Sequence, residues 1–327
     1  MMKDIQSYIA DLFTKKVSRK EFLKILLSSL ALLSLPSAGA GAAPAAASRS
    51  DGRPKKYIKA DHDLVVASGE DPYLMTVKAL EVMGGMEKFV KKGDVVLVKP
   101  NIGWDRTPEQ AGNTNPQVVA ALIDMSFKAG AKRVNVLDVT CNDARRCYAN
   151  SGIEQIAKEH GANVYVPDDW DTVKARFGYP SPMEGWPILK DALACDVFIN
   201  VPVLKHHGLT RLTLSMKNLM GVCGGNRGII HQNIGEKLVD LTKFINPELT
   251  VIDAYRILVR NGPTGGSLDD VETVKKIIVS TDPTLADIYA CTIANVDPSR
   301  VPYVERAIQQ DFGITDTSKA DILAITV

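Results

Sequence analysis

Between Asn200 and His231 the chain gathers three of its five histidines, one of its five cysteines and two lysines set beside asparagine or histidine. The run reads Asn200-Val201-Pro202-Val203-Leu204-Lys205-His206-His207-Gly208, then Met216-Lys217-Asn218, then Gly221-Val222-Cys223-Gly224-Gly225, and it closes at His231. A lysine suits a carboxylate or phosphate as a point charge, and an asparagine amide both donates and accepts hydrogen bonds. Histidine moves protons near neutral pH or ligates a metal. Lys205 with His206 or His207 is therefore the candidate acid–base group. Neighbouring residues of an extended segment point to opposite sides, so at most one histidine of the pair faces a given site.

Earlier segments add groups of the same kind. Lys99-Pro100-Asn101 follows an apolar stretch, and Pro100 stops that stretch from continuing as a ladder member, which presents Lys99 and Asn101 at its end. Asn113-Thr114-Asn115-Pro116 opens a helical pattern; Thr114 or Asn115 caps it, and free N–H groups at such an end attract anions. Asp138 and Asp253 close the apolar runs Val134–Leu137 and Thr250–Ile252, where carboxylates would face a crevice. Asp253 is counted among the catalytic candidates. Lys217, Asn218 and Gly221 fall on one face if a helix starts near Thr213. Gly221, Gly224 and Gly225 let backbone approach a ligand closely. The ligand-binding candidates are thus Lys99, Asn101, Thr114, Lys217, Asn218, Gly221, Gly224 and Gly225.

Cys223 and His231 have the chemistry of transition-metal ligands. The five cysteines, however, contain no C-x-x-C, so neither a local zinc ribbon nor a local iron–sulfur motif is encoded. A metal or an iron–sulfur cluster would have to be assembled across the fold. The other reading of these residues is ordinary: buried cysteine is common, and solvated histidines and lysines populate many loops. No phosphate-binding loop of the G-x-x-x-x-G-K-[ST] type and no strand-following G-x-G-x-x-G occurs.

The elements that must position these groups alternate along the chain. Residues 63–68, 94–99, 133–139, 163–167, 196–204, 249–254 and 274–280 read as strands, and 72–90, 116–129, 153–160, 234–244 and 283–296 as helices. Val95-Val96-Leu97-Val98 is apolar throughout, which predicts a strand buried on both faces. The expectation is an α/β fold with a mainly parallel sheet and helices on both faces. Residues 141–186 look like an excursion, a second smaller lobe could begin near Leu209, and residues 320–327 read as a last strand.

Charge is balanced, with 39 basic and 38 acidic residues, which gives no basic stripe for a nucleic acid. Six of the basic and three of the acidic residues fall within residues 1–47. That segment reads as an address: Ser18-Arg19-Lys20-Glu21-Phe22-Leu23-Lys24, the apolar run Ile25–Leu35, then Ala45-Ala46-Ala47 before Ser48 as a cleavage site. It resembles a twin-arginine export signal with Lys20 in place of the second arginine. An ordinary secretory leader or an uncleaved anchor are the alternatives, since the apolar run falls short of the ~20 residues a span needs. The expected layout is a signal at 1–47, a linker at 48–58 and one α/β domain at 59–327. The expected location is periplasmic or otherwise extracytoplasmic, with membrane contact only through the signal or anchor.

Taken together, Lys99-Pro-Asn101, the Asn-Thr-Asn-Pro turn, Asn200-Val-Pro-Val-Leu-Lys205-His206, Met216-Lys217-Asn218-Leu-Met-Gly221, His231 and Val251-Ile-Asp253 resemble the domain of unknown function 362 family over roughly residues 60–327. Many members of that family carry an appended ferredoxin-like module with clustered cysteines, which these residues lack. The resemblance extends distantly to nickel-dependent lactate racemase-type proteins, which would fit an acid–base site of lysine and histidine. Two functions follow as expectations: an exported enzyme, oxidoreductase or isomerase-like, acting on a small anionic substrate or cofactor, or a metal- or iron–sulfur-associated binding protein without turnover.

Overall fold

The computed structural model describes residues 49–327 apart from residues 55, 169 and 170. The export-signal reading of residues 1–47 lies outside the described residues. The described residues pack as one unit. Its strands are β1 (Arg49–Ser50), β2 (Leu64–Ser68), β3 (Val95–Pro100), β4 (Arg133–Val136), β5 (Asn163–Val164), β6 (Thr172–Ala175), β7 (Pro187–Leu189), β8 (Val197–Val201), β9 (Val203–His207), β10 (Arg211–Thr213), β11 (Leu249–Leu258), β12 (Val271–Ser280) and β13 (Ile322–Thr326). Its helices are α1 (Pro72–Val82), α2 (Pro116–Lys128), α3 (Ala144–Asn150), α4 (Ile153–Glu159), α5 (Lys190–Ala194), α6 (Ser215–Asn218), α7 (Ile234–Ile245), α8 (Pro283–Ile293) and α9 (Pro302–Gln309).

The main sheet runs β13-β2-β12-β11-β8-β3-β4-β5, and β9 branches from β11 to carry β10. The pairs β3–β4, β3–β8, β4–β5, β8–β11 and β2–β13 are parallel, while β12 runs against both β2 and β11. The α/β fold with a mainly parallel sheet is thus what the chain adopts. A small sheet, β1-β6-β7, lies apart from it.

Period-two alternation splits each strand between two apolar layers. Val96 and Val98 of β3 join Val197, Ile199 and Val201 of β8 in one layer, against α1, α2 and α4. Leu97 and Phe198 join the other, against α7, α8 and α9. Successive side chains of a strand point to opposite faces, so a fully apolar strand must be covered twice. Each fully buried aliphatic side chain contributes roughly 1.5–3 kcal/mol of transfer free energy, which sets the register firmly.

Three helices begin in the same way. Asp71, Asn115 and Asp282 each accept a hydrogen bond from a first-turn N–H, and each is followed by a proline at the first helical position. Within the segment expected to be a linker, Arg53 is buried against Glu248 at 2.8 Å, and Glu248 also accepts from Phe198 N. Packing therefore ties the chain down from Arg53 onward. Among the described residues, no helix is long and apolar enough to cross a membrane.

Candidate functional site

Lys99 sits at the carboxyl end of β3, in register with Asn200 of β8, and is wholly buried. Crevices beyond the carboxyl ends of parallel strands are where α/β sheets place their ligands. The Lys99 ammonium reaches three acceptors: Pro100 O at 2.8 Å, Asn218 Oδ1 at 3.1 Å and Asp138 Oδ1 at 2.7 Å. The last is an ion-pair contact rather than an aligned hydrogen bond. Burial pushes Lys99 down from the usual lysine range, and the Asp138 charge opposes that. Asp138, just past the end of β4, also accepts from Ile102 N at 2.7 Å.

Lys205 comes from a hairpin. β9 and β10 pair antiparallel, with Lys205 opposite Thr213 and His207 opposite Arg211. Alternation puts Lys205 and His207 on one side and Leu204 and His206 on the other. Lys205 donates to Gly112 O at 2.6 Å and Asn101 Oδ1 at 3.2 Å, with the Trp104 ring centroid 5.9 Å away. Among the described residues, no carboxylate pairs with it. Burial lowers its pKa to about 7, and the charges of Lys217 and Lys99 push the same way. His207 Nδ1 accepts from Leu209 N at 3.1 Å and Thr210 N at 3.3 Å, which leaves the ring proton on Nε2. Burial, then Lys217, hold His207 neutral with a pKa of about 3. Its ring stacks on that of His231 at 5.7 Å.

The third wall is α6 with the 3-10 turn Leu219–Val222 behind it. Buried Asp287 of α8 fixes its start by accepting from Ser215 N at 2.7 Å and Met216 N at 3.1 Å. Lys217 then lies 3.4 Å from His231 Nε2 and 3.6 Å from Met220 Sδ, and burial lowers its pKa to about 8. Asn218 links the lysines. Its Oδ1 accepts from both Lys99 Nζ and Asn101 Nδ2, and its Nδ2 donates to Asn200 Oδ1. Gly221 has to be glycine here. A Cβ at that position would stand 1.7 Å from Asp138 Oδ1 and 2.6 Å from Lys99 Nζ.

These walls enclose a cavity of about 610 Å³. Its charged lining residues are Lys205, Lys217, Arg227 and Asp138, and Asp138 is already paired with Lys99. The Arg227 guanidinium donates to Val139 O and Thr140 O and forms no ion pair among the described residues. The cavity therefore carries a surplus of positive charge, beside two stacked neutral imidazoles and the Trp104 ring.

Of the residues singled out from sequence, Asn101, Asp138, Lys205, His207, Lys217, Asn218, Gly221, Gly225 and His231 line this cavity, with Lys99 directly behind it. The others lie elsewhere. His206 points to the opposite side of β9, into a separate space of about 190 Å³, where its Nδ1 accepts from Gly262 N. Asp253 is not at a strand end, because β11 continues to Leu258. Its carboxyl accepts from Asn115 N at 2.8 Å and Tyr255 N at 3.0 Å, and burial raises its pKa to about 6. That geometry pins the start of α2 to the sheet, and Asp253 does not line the cavity. Thr114 bonds to Val201 O and accepts from Asn101 N, a link between two strand ends. Gly224 packs on Pro187 and Thr172.

The metal expectation for Cys223 and His231 meets a geometric obstacle. Cys223 is fully buried beneath Leu219 O, with its thiol pushed up to about 12 by burial, while His231 opens to the cavity. Among the described residues, no group of three or more His, Cys, Asp or Glu could hold a metal ion. Sequence reasoning gave no role to Arg227 or Trp104. The only signal for Arg227 was its place inside Gly224-Gly225-Asn226-Arg227-Gly228.

Three likenesses to known proteins accompany this geometry. Residues 96–292 match the family model described as Domain of unknown function (DUF362). The thylakoid-associated protein sll1697 of Synechocystis sp. (strain ATCC 27184 / PCC 6803 / Kazusa) is 31% identical over 251 residues, covering 73% of this chain and 74% of the relative. Among solved structures, the lactate racemase apoprotein from Thermoanaerobacterium thermosaccharolyticum aligns with a TM-score of 0.46 at 14% identity, over 74% of this chain. The chain spans 58% of that structure's length.

Proposed function

This chain belongs to the DUF362 family of domains of unknown function, and we propose that it is an enzyme that binds a small anionic molecule in the cavity at the ends of β3, β4 and β9. One observation carries the reading: the Lys217 ammonium and the Arg227 guanidinium line the cavity with no carboxylate paired to either among the described residues, and the one lining acid is taken by Lys99. Burying unpaired positive charge is costly, and a structural role would have supplied counter-charges. An incoming anion supplies them instead. In this reading Arg227 and Lys217 hold the anionic group, and Asn101 and Asn218 orient it. Neutral His207 is a hydrogen-bond donor through Nε2–H, and Lys205 moves protons near neutral pH.

The test is ligand-dependent stabilisation of the full chain by inorganic phosphate, oxalate and pyruvate. A ligand at ~100 times its Kd stabilises the folded state by about 2.7 kcal/mol. The expectation is saturable stabilisation by at least one of these anions, lost in Lys217→Ala while the circular dichroism spectrum is kept. Wild-type-like binding by that variant would refute the assignment. We also propose that residues 1–47 direct export. Intact mass should show cleavage after Ala47 in exported material, and accumulation of precursor when Arg19 is replaced by Gln; retention of both species in the cytoplasm sinks this reading.

A further inference from the structure

Three buried lysines meet near one cavity, and their partners differ in kind. Lys99 Nζ donates to two acceptors and has the Asp138 carboxylate at ion-pair distance as well, which favours the ammonium. Lys205 Nζ has two, Gly112 O and Asn101 Oδ1, and no carboxylate. A neutral amine has two N–H bonds and one lone pair. Two carbonyl-type acceptors satisfy both N–H bonds and leave the lone pair as the remaining tetrahedral direction. Lys205 is 1% exposed and lines the cavity. Its amine is thus held against the ligand space, with its nitrogen 5.9 Å from the centroid of the Trp104 ring.

We propose that Lys205 is a nucleophilic amine that forms an imine with the carbonyl carbon of a small 2-oxo acid held in this cavity. The proposal rests on the anion-binding reading of the same site and names its substrate class. Arg227 would take the substrate carboxylate, which sets the adjacent carbonyl toward Lys205. The nitrogen lone pair attacks the carbonyl carbon, a C–N bond forms, and the C=O π pair moves to oxygen, which takes a proton. Nitrogen then gives up a proton, the carbinolamine hydroxyl takes a second proton and leaves as water, the nitrogen lone pair closes the C=N bond, and the iminium loses its remaining N–H proton to give the imine. No oxidant or reductant is consumed. The Lys217 ammonium, hydrogen-bonded to His231, is the proton source on the facing wall. Desolvation, helped by Lys217 and Lys99 and opposed by Cys141 and Asp138, lowers the Lys205 pKa to about 7, so a substantial share of the amine is unprotonated at neutral pH, the usual route to a reactive lysine.

The experiment uses the full chain with pyruvate and sodium cyanoborohydride, which reduces an imine to a stable secondary amine. Peptide mass mapping should then show a single adduct on Lys205, heavier by pyruvic acid less one oxygen atom. Oxalate, which carries the carboxylates without a ketone, should protect Lys205, and Lys205→Arg should lose the adduct. Glyoxylate and 2-oxoglutarate, run in parallel, define the size the cavity accepts. Labelling spread over exposed lysines and unaffected by oxalate overturns the proposal. If oxalate stabilises the protein but none of the three oxo acids labels Lys205, the imine fails and the anion site stands. If neither oxalate nor any oxo acid binds, both fall.

Discussion

Replacing Lys205 by Met removes a buried amine that folding must partly strip of its proton. The unfolded chain keeps this lysine at an ordinary pKa near 10.5, whereas burial in the fold lowers it to about 7. Between those values the unfolded state binds more protons, so stability from this group rises with pH by about 1.4 kcal/mol per unit. At about pH 7.5 the penalty is on the order of 4 kcal/mol, and at about pH 9 it is on the order of 2 kcal/mol. Methionine escapes that penalty but orphans the acceptors Gly112 O and Asn101 Oδ1, at about 1–2 kcal/mol each. Asn101 Oδ1 still accepts from Gly103 N at 3.4 Å, which softens the second loss. The two costs nearly cancel the gain at about pH 9 and leave the variant ahead by about 1–2 kcal/mol at about pH 7.5. The difference between wild type and Lys205→Met should therefore move by about 2 kcal/mol across this window. Urea midpoints at several pH values measure it, with a constant slope m confirming that the comparison is sound. Taking the difference cancels the buried thiols of Cys195 and Cys223, which enter at the upper edge of the window. A difference that stays flat to within about 0.5 kcal/mol would show that Lys205 keeps its proton in the fold, and the electrostatic reasoning about the cavity would be wrong.

Three further outcomes follow from the same contacts. Gly221→Ala drives a methyl into Asp138 and Lys99, so it should cost at least about 3 kcal/mol in chemical denaturation and abolish anion binding; a loss below about 1 kcal/mol would mean that the pair moves freely. Asp287→Asn keeps the size of the group that starts α6 but removes its titration. Burial raises the Asp287 pKa from 3.8 to about 7, so its stabilising share is present below about pH 4 and lost as pH rises through about 7. The variant should flatten that decline in urea midpoints, and an unchanged profile counts against it. His207→Gln tests the opposite sign. The folded His207 stays neutral down to about 3, so wild type loses stability as pH falls from about 6.5 toward 3, and the variant should be less acid-sensitive over that range.

Period-two patterning made the double-faced sheet and the splitting of the histidine pair legible, since both depend only on local alternation. Which histidine would face the cavity was not legible, because that depends on how β9 branches from β11 and which side α6 covers. The stretch read as one strand, 196–204, is two, broken at Pro202, whose missing N–H interrupts the ladder, and the second continues to His207. Lys217, Asn218 and Gly221 do share a face, as helical spacing required, although the helix is a single turn followed by a 3-10 turn. Asp253 was misplaced by taking the end of an apolar run for the end of a strand. Arg227 went unassigned because its position rests on carbonyls of Val139 and Thr140, 88 and 87 residues away in sequence.

The three lysines show how one residue type is differentiated by what surrounds it. Lys99 has a carboxylate at ion-pair distance beside two hydrogen-bond acceptors, so its charge is neutralised and its role is to hold Asn218 and Asp138 in place. Among the described residues, Lys217 has only a thioether and an imidazole as partners, and keeps a proton that it can give away. Lys205 has two carbonyl-type acceptors and two positive neighbours, conditions that favour the amine over the ammonium. The Asn101–Asn218 bridge joins Lys205 to Lys99 through side chains that cannot titrate, so the two amines are coupled in position, and the Lys99 charge disfavours a proton on Lys205. Exchanging any one environment for another, by adding a carboxylate beside Lys205 or removing Asp138 from Lys99, would collapse the distinction on which a cavity with both an anion holder and a reactive amine depends.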